Sequence, residues 1–334
     1  MNIERPYLLF LGDARDDLAA KTARGIKDWR PELCLGQLRL NGCQTTLGLP
    51  DLTLEEAAAG GAKTLIVGVA NRGGVIGGDW AETLFRAIDL GLDIASGLHN
   101  RLDSVPGLAD VARKRARRLI DVRHPTQSFA VASGEKRPGK RLLTVGTDCS
   151  CGKMYTSLAL EREMRRRGLK ADFRATGQTG ILIAGSGVSV DAVVADFISG
   201  AVEWLTPANA PDHWDVVEGQ GSLHHPSYAG VTLGLIHGAQ PDALVMCHEP
   251  TRTHMRGLPK QPMPTLEEAI DSALRAARLT NPAVRFVGIS INTSQLAPEA
   301  GKPLLAETED RLGLPCIDPV KTGVAPIVDR LLVP

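Results

Sequence analysis

The run Gly146, Thr147, Asp148, Cys149, Ser150, Cys151, Gly152, Lys153 and Met154 holds the residues best suited to seating an anion. Two glycines bound a short polar loop whose amides can turn inward, and a lysine beside the second glycine supplies a full positive charge. Other groups of reactive side chains are spread along the chain. Arg174 stands near Thr176 and Gln178, Glu218 near Ser222 and His224, Glu249 near Arg252 and Arg256, and Asn292 stands alone. Arg72 lies in a second glycine-rich stretch, Ala70 to Gly74. The acids and the histidine suit proton transfer. The arginines suit a planar fork on a carboxylate or a phosphate.

Short apolar runs ahead of each group position them. Leu142, Leu143 and Val145 predict a buried strand that feeds the loop, and Lys153 opens a helix whose dipole favours negative charge. Lys170–Arg174, His213–Val217, Ala243–Cys247 and Val284–Ile291 read as further strands. Ala175 to Gly180 reads as a loop, and Val190 to Trp204, Ser227 to Ile236 and Pro264 to Ala277 read as helices. In an open parallel sheet the ligand crevice lies outside the carboxyl ends of the strands, which is where the polar groups fall. The first part alternates in the same way. Strands are expected at Tyr7–Leu11, Leu33–Leu40, Thr64–Val69 and Leu92–Ala95, and Thr53 to Glu56 spells a capping box. The reading is α/β throughout, with two parallel-sheet domains at 1–125 and 141–334 joined by a Pro- and Gly-containing linker at 126–140.

Composition narrows the function classes. The chain has 334 residues, enough for two cores, and its formal net charge is zero. No global field draws it to nucleic acid, and aromatics at 4% leave little for base stacking. The basic run Arg113 to Arg118 has no interleaved aromatics and reads as a solvated face. No apolar run approaches the ~20 residues of a membrane span. Cys34, Cys43, Cys149, Cys151, Cys247 and Cys316 form neither a disulfide framework nor a zinc pattern, so a cytoplasmic setting is expected. The His224–His225 pair lacks further ligands at matching spacing, so no metal site is assigned.

The loop departs from G-x-x-x-x-G-K-[ST] in two ways: five residues separate Gly146 from Gly152, and Met154 stands where a hydroxyl is usual. The longer spacing resembles the phosphate loop of dethiobiotin synthetase, G-T-D-x-x-x-G-K-T, and Val217-Glu218-Gly219 resembles its V-E-G strand end. The combination runs further, through ATGQTGILIAGSGVSVDAVVADFISGAVE, VVEGQGSLHHPSYAGVTLGLIHGAQPDALVMCHEPTRTHMRG, GVANRGG and GLDIASGLH. Over nearly its whole length the chain resembles the D-glutamate N-acetyltransferase (DgcN-type) P-loop family. That resemblance implies a Rossmann-like N-terminal domain and a P-loop C-terminal domain. It also implies acetyl transfer from acetyl-CoA to the amine of D-glutamate, with the product passing to an N-acetyl-glutamate racemase.

The implied reaction assigns roles. A neutral amine must attack, so a base is needed. Glu218 is the first candidate, with Asp148 and His224 as alternatives, and Glu218 can equally be the magnesium ligand its position gives in the synthetase class. Arg72, Arg174 and Arg252 are candidate forks for substrate carboxylates, with Thr176, Gln178, Ser222 and Asn292 as further contacts. Amides of Gly219 to Ser222 or the Asn292 side chain can face the oxyanion. Gly146 to Met154 is expected to hold the CoA phosphates. A thioether is a poor ligand for Mg²⁺, which leaves that ion open and weakens ATP hydrolysis as a reading. Cys149 or Cys151 can carry an acetyl group or simply pack in the loop. Small-molecule substrates and a homo-oligomer, a dimer by default, complete the expectation. The two alternatives are an ATP-dependent ligase or kinase of the dethiobiotin synthetase type and a non-catalytic nucleotide-binding sensor.

Overall fold

The structure, a computed structural model, describes residues 3–17, 19–69 and 76–333. The chain divides into two compact units, Met1–Thr126 with Gly177–Ala192, and Gln127–Thr176 with Val193–Pro334. Each is an α/β unit built on a parallel sheet.

The first unit carries β1 (Tyr7–Gly12), α1 (Lys21–Trp29), β2 (Cys34–Arg39), α2 (Leu54–Ala59), β3 (Thr64–Val67), α3 (Gly78–Asp89), β4 (Asp93–Ser96), α4 (Leu108–Lys114) and β5 (Leu119–Asp121). Its strand order is β2-β1-β3-β4-β5, all parallel. Successive strand residues point to opposite faces. Leu8, Phe10, Leu65, Val67 and Ile94 share one core with α2, α3 and α4. Thr53 caps α2 with the expected box: its hydroxyl accepts from Glu56 N and the Glu56 carboxylate accepts from Thr53 N. The basic run does not lie on one helix, because α4 ends at Lys114. Arg115 pairs with Asp89 and Arg118 with Asp93.

Gly177–Ala192 belongs to this first unit, although the sequence places it inside the second domain. It carries α6 (Gln178–Ala184), in a stretch whose opening reads as a loop. α6 packs on α1, and Arg123 bonds both Gln178 and Asp191, which holds the segment there.

The second unit carries β6 (Lys140–Gly146), α5 (Lys153–Arg166), β7 (Ala171–Arg174), α7 (Ile198–Leu205), β8 (Trp214–Val217), α8 (Ala229–Ala239), β9 (Ala243–His248), α9 (Leu266–Arg278), β10 (Arg285–Ile291), α10 (Gly301–Leu312), β11 (Cys316–Ile317) and α11 (Ala325–Leu332). The order is β7-β8-β6-β9-β10-β11, again parallel, so β6 is central. Thr144 bonds Ser157 of α5 on one face, while Val145 lines a small cavity with Thr232 of α8 and Ala269 and Ala273 of α9 on the other. Helices following β6 and its neighbours therefore leave on opposite faces, which opens a crevice at the carboxyl ends. The stretch expected as one helix at 190–204 is two short 3-10 turns followed by α7. The expected linker is a strap on this unit: Arg137 donates to Thr206 O and Gly238 O, and Lys136 to Asp242. No helix among the described residues is long and apolar enough to cross a membrane.

Candidate active site

The loop from Thr147 to Gly152 leaves β6 and turns into α5. Ser150 at φ 51° and Gly152 at φ 108° both take the left-handed conformation, and these turns aim successive amides at one point. Among the described residues the amides of Ser150, Cys151, Gly152, Lys153 and Met154 donate to no protein acceptor. Lys153 folds back into the loop, its Nζ 2.8 Å from Asp148 O and 3.6 Å from Cys151 Sγ. Its stem lies on Gly219, where a Cβ would stand 2.9 Å from Lys153 Cδ and 1.8 Å from Thr144 O. That crowding is the physical reason for the glycine after Glu218.

Asp148 is wholly buried and fully engaged. Its Oδ1 accepts from Cys149 N at 2.7 Å, and its Oδ2 accepts from Arg252 Nη1 at 2.6 Å and Arg256 N at 2.9 Å. Arg252 is equally committed. Nη1 also reaches Cys149 O, Nη2 reaches Ser150 O at 3.0 Å, and Nε pairs with Glu249 at 2.9 Å. Both residues meet at the loop as expected, but they form its clamp, with Arg252 spent on the protein and both Asp148 oxygens bonded within it.

The remaining candidates separate. Glu218 is 4% exposed and accepts from Thr176 N at 3.0 Å, while Thr176 Oγ1 donates to Glu218 O. Ser222 is buried and donates to Thr147 O at 3.0 Å, tying the β8 end to the loop. Asn292 follows β10 beside Gly152, its Oδ1 taking Ser294 N. Three expectations do not fit the rim. Arg174 turns along the sheet to Asp215 at 2.7 Å, because that buried carboxylate needs a partner. His224 turns to Ser272 of α9, Nε2 to Oγ 3.1 Å. Gln178 lies in the first unit, where it holds Arg123. Arg72 lies outside the described residues.

Two further groups stand beside the loop: His248, which carries no role in the sequence reading, and Arg256, which enters it only as one of the arginines suited to a fork. His248 ends β9, and its Nδ1 lies 2.9 Å from Thr147 Oγ1 while Nε2 has no protein partner among the described residues. Burial holds its pKa below the ordinary imidazole value, with the Arg252 and Arg311 charges adding to this against Glu249. The signal in the sequence is its place directly after a buried strand. The Arg256 side chain makes no hydrogen bond among the described residues and stands close enough to Cys149 to act on it electrostatically. Burial nevertheless pushes the Cys149 thiol up to about 11 and Cys247 to about 12, so both are neutral thiols at pH 7. Asp148, Cys149 and His225 also come within 4.8 Å of one another. Two of the three are already engaged: Asp148 by Arg252, and His225 by Arg256 O at 3.2 Å and Ser227 N at 3.2 Å.

A central strand, an amide-lined loop and a lysine at the head of the following helix define the second unit as a P-loop unit. The chain belongs to the DUF1611 family: the model described as "Domain of unknown function (DUF1611_C) P-loop domain" matches residues 129–328, and the companion Rossmann-like domain model matches residues 38–125. A D-glutamate N-acetyltransferase of Tritonibacter scottomollicae is 58% identical across 98% of this chain and 99% of its own. A D-glutamate N-acetyltransferase of a Pseudoalteromonas species is 53% identical across 99% of this chain and 100% of its own. The crystal structure of a DUF1611 family protein from Anabaena variabilis, 32% identical, matches with a TM-score of 0.88 over 98% of this chain and 99% of that one.

Proposed function

We propose that the chain is a D-glutamate N-acetyltransferase that uses acetyl-CoA. The full-length identity to relatives of that name supports the substrate and the reaction. The observation that carries the geometric side is a loop that offers five open amides and a lysine yet has Met154 where a magnesium ligand would stand. Such a loop holds an anion without a metal.

In the reaction the substrate ammonium loses a proton and the amine attacks the thioester carbonyl. The tetrahedral intermediate collapses to the amide, and CoA leaves as a thiolate that takes up a proton. His248 is the candidate proton acceptor: it is a neutral imidazole anchored at Nδ1 with Nε2 open. Glu218, closed in by Thr176, positions the β8 end. Arg256 is the candidate fork for an anionic group at the loop.

Two occupants of the loop are compatible with this chemistry. In the first reading the CoA pyrophosphate sits there. The pantetheine arm then spans the length of about four extended residues, ~14 Å, so the thioester lies beyond the loop. In the second reading a glutamate carboxylate sits there. The open His248 and Arg256 beside the same loop favour it, because base and fork then stand next to the amine. The product passes to a racemase acting on N-acetyl-glutamate, and the six free thiols suit a reducing cytoplasm.

The test is thiol release from acetyl-CoA with D-glutamate, L-glutamate or no acceptor, with and without MgATP. Release that needs D-glutamate and ignores MgATP is expected. Phosphate release from ATP with no free thiol would return the chain to the ligase class. Calorimetric titration of Lys153→Ala with CoA and with D-glutamate separates the two occupants, since only the one seated in the loop loses affinity.

A further inference from the structure

The second unit exposes a group of large apolar side chains on and beside α7 and α8. Trp204 is 56% exposed, Val131 65%, Val194 67%, Tyr228 47%, Leu233 40% and Phe197 36%. These residues belong to three segments that pack on one another. The strap at 129–131 crosses α7 so closely that a Cβ on Gly200 would stand 1.8 Å from Ala130 O. Phe129 meets Trp204 edge to face at 5.8 Å. Gly234 of α8 abuts Ile198, and Gly238 abuts Ser199 and Val202, so α7 and α8 lie in close contact.

A surface helix ordinarily turns a polar face to water. α8 carries a single titratable residue, His237, and α7 carries Glu203 alone. Glu203 is neutralised: its carboxylate accepts from Ser133 N and Gly134 N and lies 3.4 Å from Arg137. Asp196, between Val194 and Phe197, is the exposed acid of these segments. The face is therefore apolar and almost without free charge.

We propose that this face is where two copies of the chain associate, around a two-fold axis with Trp204 at the centre. The partner is a second copy for two reasons. In a two-fold contact each residue set meets itself, so an uncharged apolar face is self-complementary, whereas a charged one would repel. The area also fits. An aromatic side chain offers ~150–250 Å², so six residues at these exposures present on the order of 500 Å². That is the apolar core of an interface burying about 800 Å² per partner. Tryptophan is a favoured anchor at such a centre.

The test is the mass of the full chain in solution by sedimentation equilibrium across a concentration series. The expected mass is twice the 35.6 kDa of the single chain. Trp204→Glu should raise the dissociation constant by at least ~30-fold, with the far-ultraviolet circular dichroism unchanged. Leu233→Arg supplies the same reading from the other helix should Trp204→Glu fail to fold. Leu279→Glu, at a residue 76% exposed but outside the face, should leave the dimer intact. A single-chain mass for the unaltered protein at every concentration overturns the proposal. So does a folded Trp204→Glu or Leu233→Arg that associates as the unaltered chain does.

Discussion

Asp148 and Arg252 form a salt bridge 104 residues apart in sequence, Oδ2 to Nη1 2.6 Å, with the carboxylate wholly buried. Two further amide donors hold the carboxylate, and three further acceptors hold the guanidinium. The pair thus fixes the Arg252–Arg256 segment across the back of the phosphate loop. Removing one partner strands the other. Arg252→Ala should cost about 3 kcal/mol, or a fall in melting temperature on the order of 6–12 °C. Arg252→Met combined with Asp148→Asn and Glu249→Gln should be less destabilising than Arg252→Ala alone, because neither buried carboxylate is then left as an unpaired charge. Thermal melts of the two variants check this, and equal losses in both would remove the clamp from the account.

Gly219→Ala tests the packing of the loop lysine. The added methyl would meet the Thr144 carbonyl at 1.8 Å and the Lys153 stem at 2.9 Å. Backbone cannot yield there without opening β6 from β8. The expected cost is at least about 3 kcal/mol, together with lost anion binding. Gly301→Ala in the same unit meets only ordinary contacts from 3.5 Å outward. It should stay within about 1 kcal/mol of the parent. Urea titrations of both variants measure the contrast.

Cys149→Ser and Cys151→Ser address a covalent acetyl-enzyme. A helix N-terminus lowers a thiol pKa, but burial dominates at Cys149 and takes it to about 11. Cys151 is buried, and its Sγ donates to Asp148 O at 3.1 Å, which makes it a packing and hydrogen-bonding group. Each serine variant should keep activity within about tenfold of the parent. Mass spectrometry during turnover should find no acetyl adduct on either residue. A trapped acetyl thioester on Cys149 would overturn the direct-transfer scheme.

Strand positions were legible because buried parallel strands read as short apolar runs bounded by glycine and polar residues, as at Leu142 to Gly146 and Ala243 to His248. α6 was hidden by Gly177 and Gly180 at its start, which read as loop. β11 is two residues long and carries no period to detect. The phosphate loop was legible from spacing alone. What its neighbours do was not. Arg174, Arg252 and His224 are placed in sequence like ligand-binding residues, yet Asp215, Asp148 and Ser272 claim them. Which partner a side chain finds across such separations is decided by the packed sheet, and local pattern does not encode it.

His248→Gln bears most directly on the proposed reaction. His248 Nδ1 pairs with Thr147 Oγ1 at 2.9 Å, and Nε2 has no protein partner among the described residues. With Nδ1–H donating to the threonine, Nε2 carries the lone pair that takes the ammonium proton. Its pKa is lowered, chiefly by burial, so the neutral form prevails at pH 7. The sign follows: protonation removes the base, so kcat should fall as pH drops through a value below the ordinary ~6.5. His248→Gln keeps a polar group of similar reach but cannot take up a proton. Its kcat should fall about 10²–10⁴-fold, with the acid limb of the pH profile gone and KM for acetyl-CoA little changed. Thr147→Val should weaken the anchor and give a smaller loss with the acid limb retained. Should His248→Gln keep the parental kcat and the same acid limb, the proton acceptor lies elsewhere.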